Sequence, residues 1–278
     1  MFLYRLTFGT FPTAEREAAV DVVENYISVL LNNGQAVGEY VHLLQNGKLC
    51  AYLNVSGIYA RSRKFHCRYG RARLKEVIDY FGSPPEWELL DDETRKRDRT
   101  WANAPFLYLF TYMGDWESPL CRGDNGKPIP LYRLPGSHED RAGIYHWQLA
   151  YRDHDAIWMG CRALEVPAYK QLCLPDSELS REGREICREV EKTTGVPTYY
   201  FLKRYWGRRQ DEEKRKCPGC GRSWRTTHPI DTENGFWCFP FRCDTCRLVS
   251  HMADSCDDDR HASIGEWKTG KKRRTKGS

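Results

Sequence analysis

Two cysteine pairs, Cys217-Pro218-Gly219-Cys220 and Cys243-Asp244-Thr245-Cys246, stand 22 residues apart and constrain this chain more than any other feature. Two residues between the cysteines of a pair let one tight turn aim both sulfurs at a common point. Two such turns facing each other supply the four thiolates of a closed structural zinc site. Pro218 presets the backbone angle of the first turn, and Gly219 and Gly221 accept conformations that a side chain resists. We therefore expect one structural Zn2+ on Cys217, Cys220, Cys243 and Cys246. Four thiolates leave no open position for water or substrate, which argues against a catalytic metal. The competing explanation is two buried cysteine pairs or disulfides. His228 and His251 are alternative ligands that the spacing does not require.

The spacer reads as a β-ribbon. Ser223 to His228 suits an outgoing strand, and Phe236 to Arg242 a returning one with Trp237, Phe239 and Phe241 alternating onto one face. Asn234-Gly235 is a turn signal before the return. Leu248 to Met252 suits a third strand. Pro240 suggests an edge or a bulge, because it cannot donate a ladder hydrogen bond.

The 278 residues leave room for about two domains. No run of about 18 apolar residues is present, so no membrane span is expected. The opening Met-Phe-Leu-Tyr-Arg turns polar too soon for a signal peptide. Twelve cysteines without such a leader argue for a reducing, cytoplasmic setting and metal binding rather than a disulfide framework. The net charge of +5 permits an acidic partner without demanding one.

The fold class read from the pattern is α+β. Residues 2–9 alternate like a strand. Residues 14–33 read as a helix with Thr13 as N-cap and Ala18, Val22, Tyr26, Val29 and Leu30 as its apolar stripe. Residues 37–45 and 48–55 flank Asn46-Gly47, a hairpin signal. Residues 70–81 read as a second helix with Leu74, Val77, Ile78 and Phe81 on one face, stopped by Gly82 and Pro84. Trp87 to Leu90 closes a β-α-β-β-α-β order, so a ferredoxin-like domain is expected over residues 1–91. A charged break at 91–100 leads to a second α+β domain at 101–206, a diverged second copy of the first layout being one option for it. Its expected parts are strands at 105–112, 129–134 and 198–205 and helices at 137–156 and 178–194, with 165–174 ambiguous. The zinc ribbon is expected at 214–253 and a disordered tail at 254–278.

No catalytic set stands out. The chain lacks a phosphate-cradling glycine loop, a nucleophile elbow and a paired-histidine metal helix. His146, Asp153, His154 and Asp155 cluster on one helix, and such a group serves acid–base work only with a positioned partner. His66 and Cys67 lie among Arg61, Arg63, Lys64 and Arg68, which reads more simply as a basic loop than as a reactive thiol. Within residues 203–225 nine Lys or Arg face three Asp or Glu. Arg204, Arg208, Arg209, Arg222 and Arg225 are therefore candidate phosphate contacts, with Trp237, Trp224, Phe239 and Phe241 as stacking platforms. The alternative is that these cations offset the negative zinc–thiolate centre and that the aromatics are packing.

The chain resembles an uncharacterised bacterial family described as zinc-ribbon-containing, candidate nucleic-acid-binding proteins. The resemblance runs over most of residues 1–253. It rests on Asn33-Gly34-Gln35, on residues 80–85, 104–110, 129–132, 167–171 and 197–200, and on the Cys-Pro-Gly-Cys-Gly knuckle. It implies zinc on the four named cysteines and a nucleic-acid partner. The expected function is a non-enzymatic zinc-ribbon protein that binds nucleic acid or a nucleic-acid-associated complex. The runner-up is a protein–protein adaptor or inhibitor whose ribbon is purely structural.

Overall fold

The computed structural model describes residues 1–92, 100–231 and 238–268. Its architecture is mixed α+β with two sheets. The chain divides into two compact units. The first comprises Met1–Asn103, Gly114–Cys121 and Pro128–Leu149. The second comprises Ala104–Met113, Arg122–Lys127 and Ala150–Ser278. Division at 91, 206 and 253 is therefore not how the contacts run, because the cysteine ribbon shares a unit with most of the stretch expected to be a separate middle domain.

The first unit is built from β1 (Phe2–Thr10), α1 (Arg16–Asn32), β2 (Ala36–Gln45), β3 (Lys48–Val55), α2 (Arg68–Phe81) and β4 (Glu86–Asp92). Its four strands run β2-β3-β1-β4, each antiparallel to its neighbour. In β1 the period of two puts Phe2, Tyr4, Leu6 and Phe8 into the core and leaves the alternate residues half-covered. Asn46 and Gly47 carry φ of 51° and 74°, the paired left-handed values of the tight turn that Asn-Gly favours.

Helix α1 buries Ala19, Val23, Tyr26, Ile27, Leu30 and Leu31, one position on from much of the expected stripe. Ala18 is exposed, and Val22 and Val29 lie at the edge of the core. The phase shift follows from the helix entry. Thr13 sits in a 3-10 turn rather than capping, Glu15 takes the cap position without a side-chain bond, and α1 starts at Arg16. Helix α2 buries Leu74 and Val77 and ends, as expected, on left-handed Gly82. Burying each of these aliphatic side chains is worth about 1.5–3 kcal/mol.

The remaining elements are β5 (Leu107–Leu109), β6 (Leu120–Arg122), α3 (His138–Met159), α4 (Glu165–Cys173), α5 (Glu178–Thr194), β7 (Thr198–Leu202), β8 (Arg225–Asp231), β9 (Cys238–Cys243) and β10 (Leu248–Ser250). In the second unit the strands run β5-β7-β10-β9-β8. Both β5 and β10 are parallel to β7, while β9 is antiparallel to β10 and to β8. A parallel centre is not a copy of the first unit's all-antiparallel sheet, so the repeat option falls. All five residues of β7 are buried, which fits a strand with neighbours on both edges and cover on both faces.

Three local expectations change. Residues 129–134 form no strand: Leu131–Arg133 is a 3-10 turn whose Arg133 N–H donates to the Pro130 carbonyl. Residues 165–173 are helical. The chain from 254 to 268 is packed rather than disordered. Ser255 bridges to Trp206, Ala262 is fully buried, and Glu266 pairs with Arg208.

Gly34 and Gly47 share a left-handed φ but differ in surroundings. A Cβ on Gly34 would lie 2.4 Å from Leu131 Cβ, whereas a Cβ on Gly47 meets nothing within 4 Å. Gly47→Ala should lose about 1–2 kcal/mol for the backbone alone, and Gly34→Ala about 1–3 kcal/mol more for the clash. Denaturant unfolding of the two variants checks this, and equal losses would contradict the packing described at Gly34.

Candidate metal centre

The two knuckles end alike, on a left-handed residue. In the first, the N–H groups of Cys220 and Gly221 both donate to the Cys217 carbonyl, and Cys217 N–H donates to the Arg222 carbonyl. Each knuckle is followed by a left-handed residue, Gly221 (φ 73°) and Arg247 (φ 52°). Glycine adopts this conformation freely. Arg247 does so while its guanidinium is paired with Glu191 at 2.8 Å and its carbonyl accepts from Tyr200 N–H at 2.9 Å. Gly219 has a second reason to be glycine, because a Cβ there would lie 2.8 Å from Cys246 Sγ.

These turns bring the sulfurs of Cys217, Cys220, Cys243 and Cys246 within 4.8 Å of one another. A tetrahedron with metal–sulfur bonds of about 2.3 Å has edges of about 3.8 Å. The Cys220–Cys243 separation of 3.7 Å fits that edge. The donor set is compatible with one structural metal ion. The Gly219 and Cys220 N–H groups favour the Cys217 thiolate, though burial outweighs them, and the Arg222 N–H favours that of Cys220. Burial pushes the Cys217 thiol up and the Cys246 thiol up to about 12. Burial opposes ionisation of Cys220 too, but the Arg222 N–H and the neighbouring thiols hold it below the usual value. Without a cation the Cys217 and Cys246 thiols are protonated, so loading a metal expels protons.

The second knuckle is tied to β7 and α5. Tyr199 O–H donates to Asp244 at 2.6 Å, and Arg247 bridges to Glu191. Residue 248 already starts β10, which pairs with β7 through Leu248–Tyr200, Val249–Phe201 and Ser250–Leu202. Across the knuckles, Arg222 donates to Thr245 Oγ1 at 3.1 Å. Trp267, from the segment expected to be disordered, packs where a side chain on Gly221 would go.

The cations singled out by sequence separate into two sets. Arg204 is 2% exposed and makes a two-pronged bridge to Glu212, both bonds 2.9 Å, with a further bond to the Ile264 carbonyl at 2.8 Å. It is not available to phosphate. Arg208 forks onto Glu266 with two bonds of 2.7 Å. Arg215 lies over the Phe241 ring at 4.0 Å and bonds Ser250 and His251. Arg209, Lys216, Arg222 and Arg225 are exposed. The stacking platforms also change, because Trp224, Phe239 and Phe241 are buried core residues. Trp237 lies outside the described residues. Glu212 and Glu266 are the side chains that charge counting passed over. Glu212 was visible as part of the acidic break in the basic run, whereas Glu266 lies 54 residues further on, beyond any local pattern.

His228 and His251 are not part of the cluster. His251 accepts the Arg204 backbone N–H on Nε2 at 2.9 Å, so its proton sits on Nδ1 facing Asp254 at 3.4 Å. Two members of the helical group around His154 are committed to structural bonds and two are not. Asp155 bonds Lys203 at 3.0 Å and Met113 N–H at 2.8 Å, His154 Nδ1–H donates to the Ala150 carbonyl, and Asp153 and His146 are exposed.

Residues 102–203 match a domain of unknown function (DUF2310), and residues 207–256, which hold both knuckles, match a second domain of unknown function (DUF8594). Two uncharacterised proteins of Haemophilus influenzae are similar to this chain. One is 38% identical over 138 residues, covering 49% of this chain and 66% of its own length. The other is 35% identical over 171 residues, covering 60% and 63%. The chain thus spans slightly under two thirds the length of the curated relatives it matches. No solved structure matches. The similarity is to an uncharacterised bacterial family, and no helix among the described residues is long and apolar enough to cross a membrane.

Two outcomes are expected. Elemental analysis should find about one metal ion per chain, lost in Cys217→Ser and in Cys243→Ser, with chelation lowering the unfolding temperature of the intact chain. An unchanged melt after complete metal removal would contradict a structural centre. The second outcome concerns acid. Burial lowers the His251 pKa, helped by Lys203 and Arg215 and opposed by Asp254. Since the unfolded imidazole titrates near about 6.5, the unfolded state takes up more protons below that pH and folding weakens as pH falls. His251→Gln should flatten the loss measured between about pH 7 and 5.5; an identical slope in the variant would show that other groups carry it.

Proposed function

We propose that this chain is a non-enzymatic zinc-ribbon protein that binds nucleic acid, or a nucleic-acid-associated complex, through exposed cations around its first knuckle. The metal on this reading is one Zn2+ held by Cys217, Cys220, Cys243 and Cys246. Four thiolates with no place for water leave it a structural part. The first unit is read as ferredoxin-like, supported by its strand order β2-β3-β1-β4 with two helices between.

The observation that carries the binding reading is a contrast among arginines and lysines of one stretch. Arg204, Arg208 and Arg215 are taken up by Glu212 and Glu266. Arg209, Lys216, Arg222 and Arg225 have no carboxylate partner among the described residues and are exposed. Exposed, uncompensated cations exchange bound anions for phosphates and gain from the counterions released. Trp237 stays with this reading as the stacking side chain. An adaptor role is the second reading. It is supported by Val41, Leu43 and Leu44, exposed on β2, the outer strand of the first sheet.

Binding of the full chain to a single-stranded oligonucleotide, followed by anisotropy over a salt series, tests the reading. Affinity should fall with salt. Arg222→Ala with Arg225→Ala should lower the log–log slope by about 0.7 per lost contact, without loss of metal. If no salt-dependent binding is seen at low salt, the adaptor reading takes its place.

A further inference from the structure

The first unit contains a polar chain whose direction is fixed from one end. Arg141 can only donate, and its Nε donates to Asn33 Oδ1 at 2.8 Å. Asn33 Nδ2 must then be the donor to Gln35 Oε1 (2.8 Å) and to the Phe65 carbonyl (2.9 Å). With its oxygen accepting, Gln35 presents Nε2 to the Ala60 carbonyl and to His66 Nδ1, 3.4 Å away. An amide NH2 cannot accept, so Nδ1 is the acceptor and the imidazole proton sits on Nε2. That Nε2–H faces the Tyr26 oxygen at 3.0 Å. Tyr26 therefore receives a hydrogen bond and keeps its own proton to give. Among the described residues no acceptor takes that proton, although Tyr26 is 1% exposed.

Both Tyr26 and His66 line a cleft of about 640 Å³. Tyr4, Trp87 and Tyr59 supply aromatic surface to it, with Leu74 and Ile58. Arg61 and Arg63 also line it; both are exposed, and neither has a carboxylate partner among the described residues. Burial dominates both, raising the Tyr26 pKa and lowering that of His66; the Ser62 carbonyl opposes it at His66, and Arg63 lowers both. The hydroxyl thus stays protonated, the imidazole neutral, and the chain keeps its direction. The charged groups that line the cleft are two guanidiniums, with no carboxylate among its lining residues, and the Tyr26 O–H has a hydrogen to give beside them. A volume of this size suits one small molecule.

We propose that this cleft is a binding site for a small aromatic anion, a ring carrying a carboxylate or a phosphate. The ring lies among Trp87, Tyr4 and Tyr59, and the anion takes the Tyr26 hydroxyl and the Arg61 and Arg63 guanidiniums. Neither charge nor ring suffices alone, because the donors sit beside apolar walls that a bare hydrated ion does not fill.

Calorimetric titration of the full chain with 1-naphthyl phosphate and with 1-naphthoate tests this, and the two arms separate phosphate from carboxylate. At least one should bind, with inorganic phosphate and uncharged 1-naphthol about tenfold weaker or more. Tyr26→Phe keeps the ring in the core and removes only the hydroxyl; it should weaken binding about tenfold or more. Arg61→Ala with Arg63→Ala, at the exposed side of the cleft, should do the same should the Tyr26 variant fail to fold. Arg181→Ala, exposed on α5, should leave the affinity unchanged. Absence of binding by either aromatic anion up to about 5 mM, equal binding of 1-naphthol, or unchanged affinity in the cleft variants overturns the proposal.

Discussion

Four sulfurs within 4.8 Å of one another cannot all carry charge unless a cation sits among them. The second unit is organised around that fact. Its ribbon strands β8 and β9 form too small a layer to bury a core of their own, and strand β10 begins two residues after Cys246. The cross-link that draws the knuckles together therefore also sets where β10 starts. β10 lies between β9 and β7 in the sheet, so the metal centre is joined to the parallel part of the unit by a ladder rather than by a flexible linker. Tyr199 with Asp244 and Arg247 with Glu191 fasten the second knuckle to the same strand and helix. The left-handed backbone at Arg247 is held in place by bonds at both its carbonyl and its side chain.

Charge counted along a sequence does not say where charge ends up. Residues 203–225 are dense in Lys and Arg, yet Arg204 is buried and fully engaged, and Arg208 turns back onto Glu266. A buried guanidinium needs a carboxylate, since removing one member of such a pair leaves an uncompensated charge that costs about 3–5 kcal/mol. Glu212 supplies it from eight residues away, and the 3-10 turn at Glu212–Lys214 is the local device that swings it back. What remains for an outside partner is the subset whose side chains end in water.

The sequence made some of this legible. Asn46-Gly47 specified a turn because both positions need φ > 0, and Gly82 and Gly195 ended helices for the same reason. The cysteine spacing announced the centre because ligand geometry leaves few alternatives. The strand order of the second sheet was not legible. Parallel pairing of β10 with β7 joins segments 48 residues apart, and no periodicity within either segment encodes its neighbour. The helix at Glu165–Cys173 was ambiguous because Pro167 sits in its first turn, where proline is tolerated but reads as a breaker. The segment 254–268 looked disordered from its acidic run; its order comes from partners distant in sequence, Tyr205, Trp206 and Gly207 for Ser255 and Arg204 and Arg208 for Glu266. The site's arginines were legible as cations but not as buried or exposed, a distinction made only by tertiary packing.

The two units place polar groups inside in opposite ways. The second pairs full charges, Arg204 with Glu212 and Lys203 with Asp155, and gathers sulfurs around a place for a cation. The first uses neutral groups in series, where one donor-only guanidinium settles the orientation of each amide and ring after it. Ion pairs end where the charges meet. A directed chain ends in a group whose remaining hydrogen is unspent, and in the first unit that group is Tyr26, on the wall of a cleft. The bonding of His66 was not legible in its basic loop, because it depends on Asn33, Gln35 and Tyr26, three residues that lie on or beside α1 and are distant from it in sequence. Asn33 and Gln35 relay the direction that Arg141 sets. Gly34 lets the backbone turn sharply enough, at φ 68°, for the two amides on either side of it to bond each other.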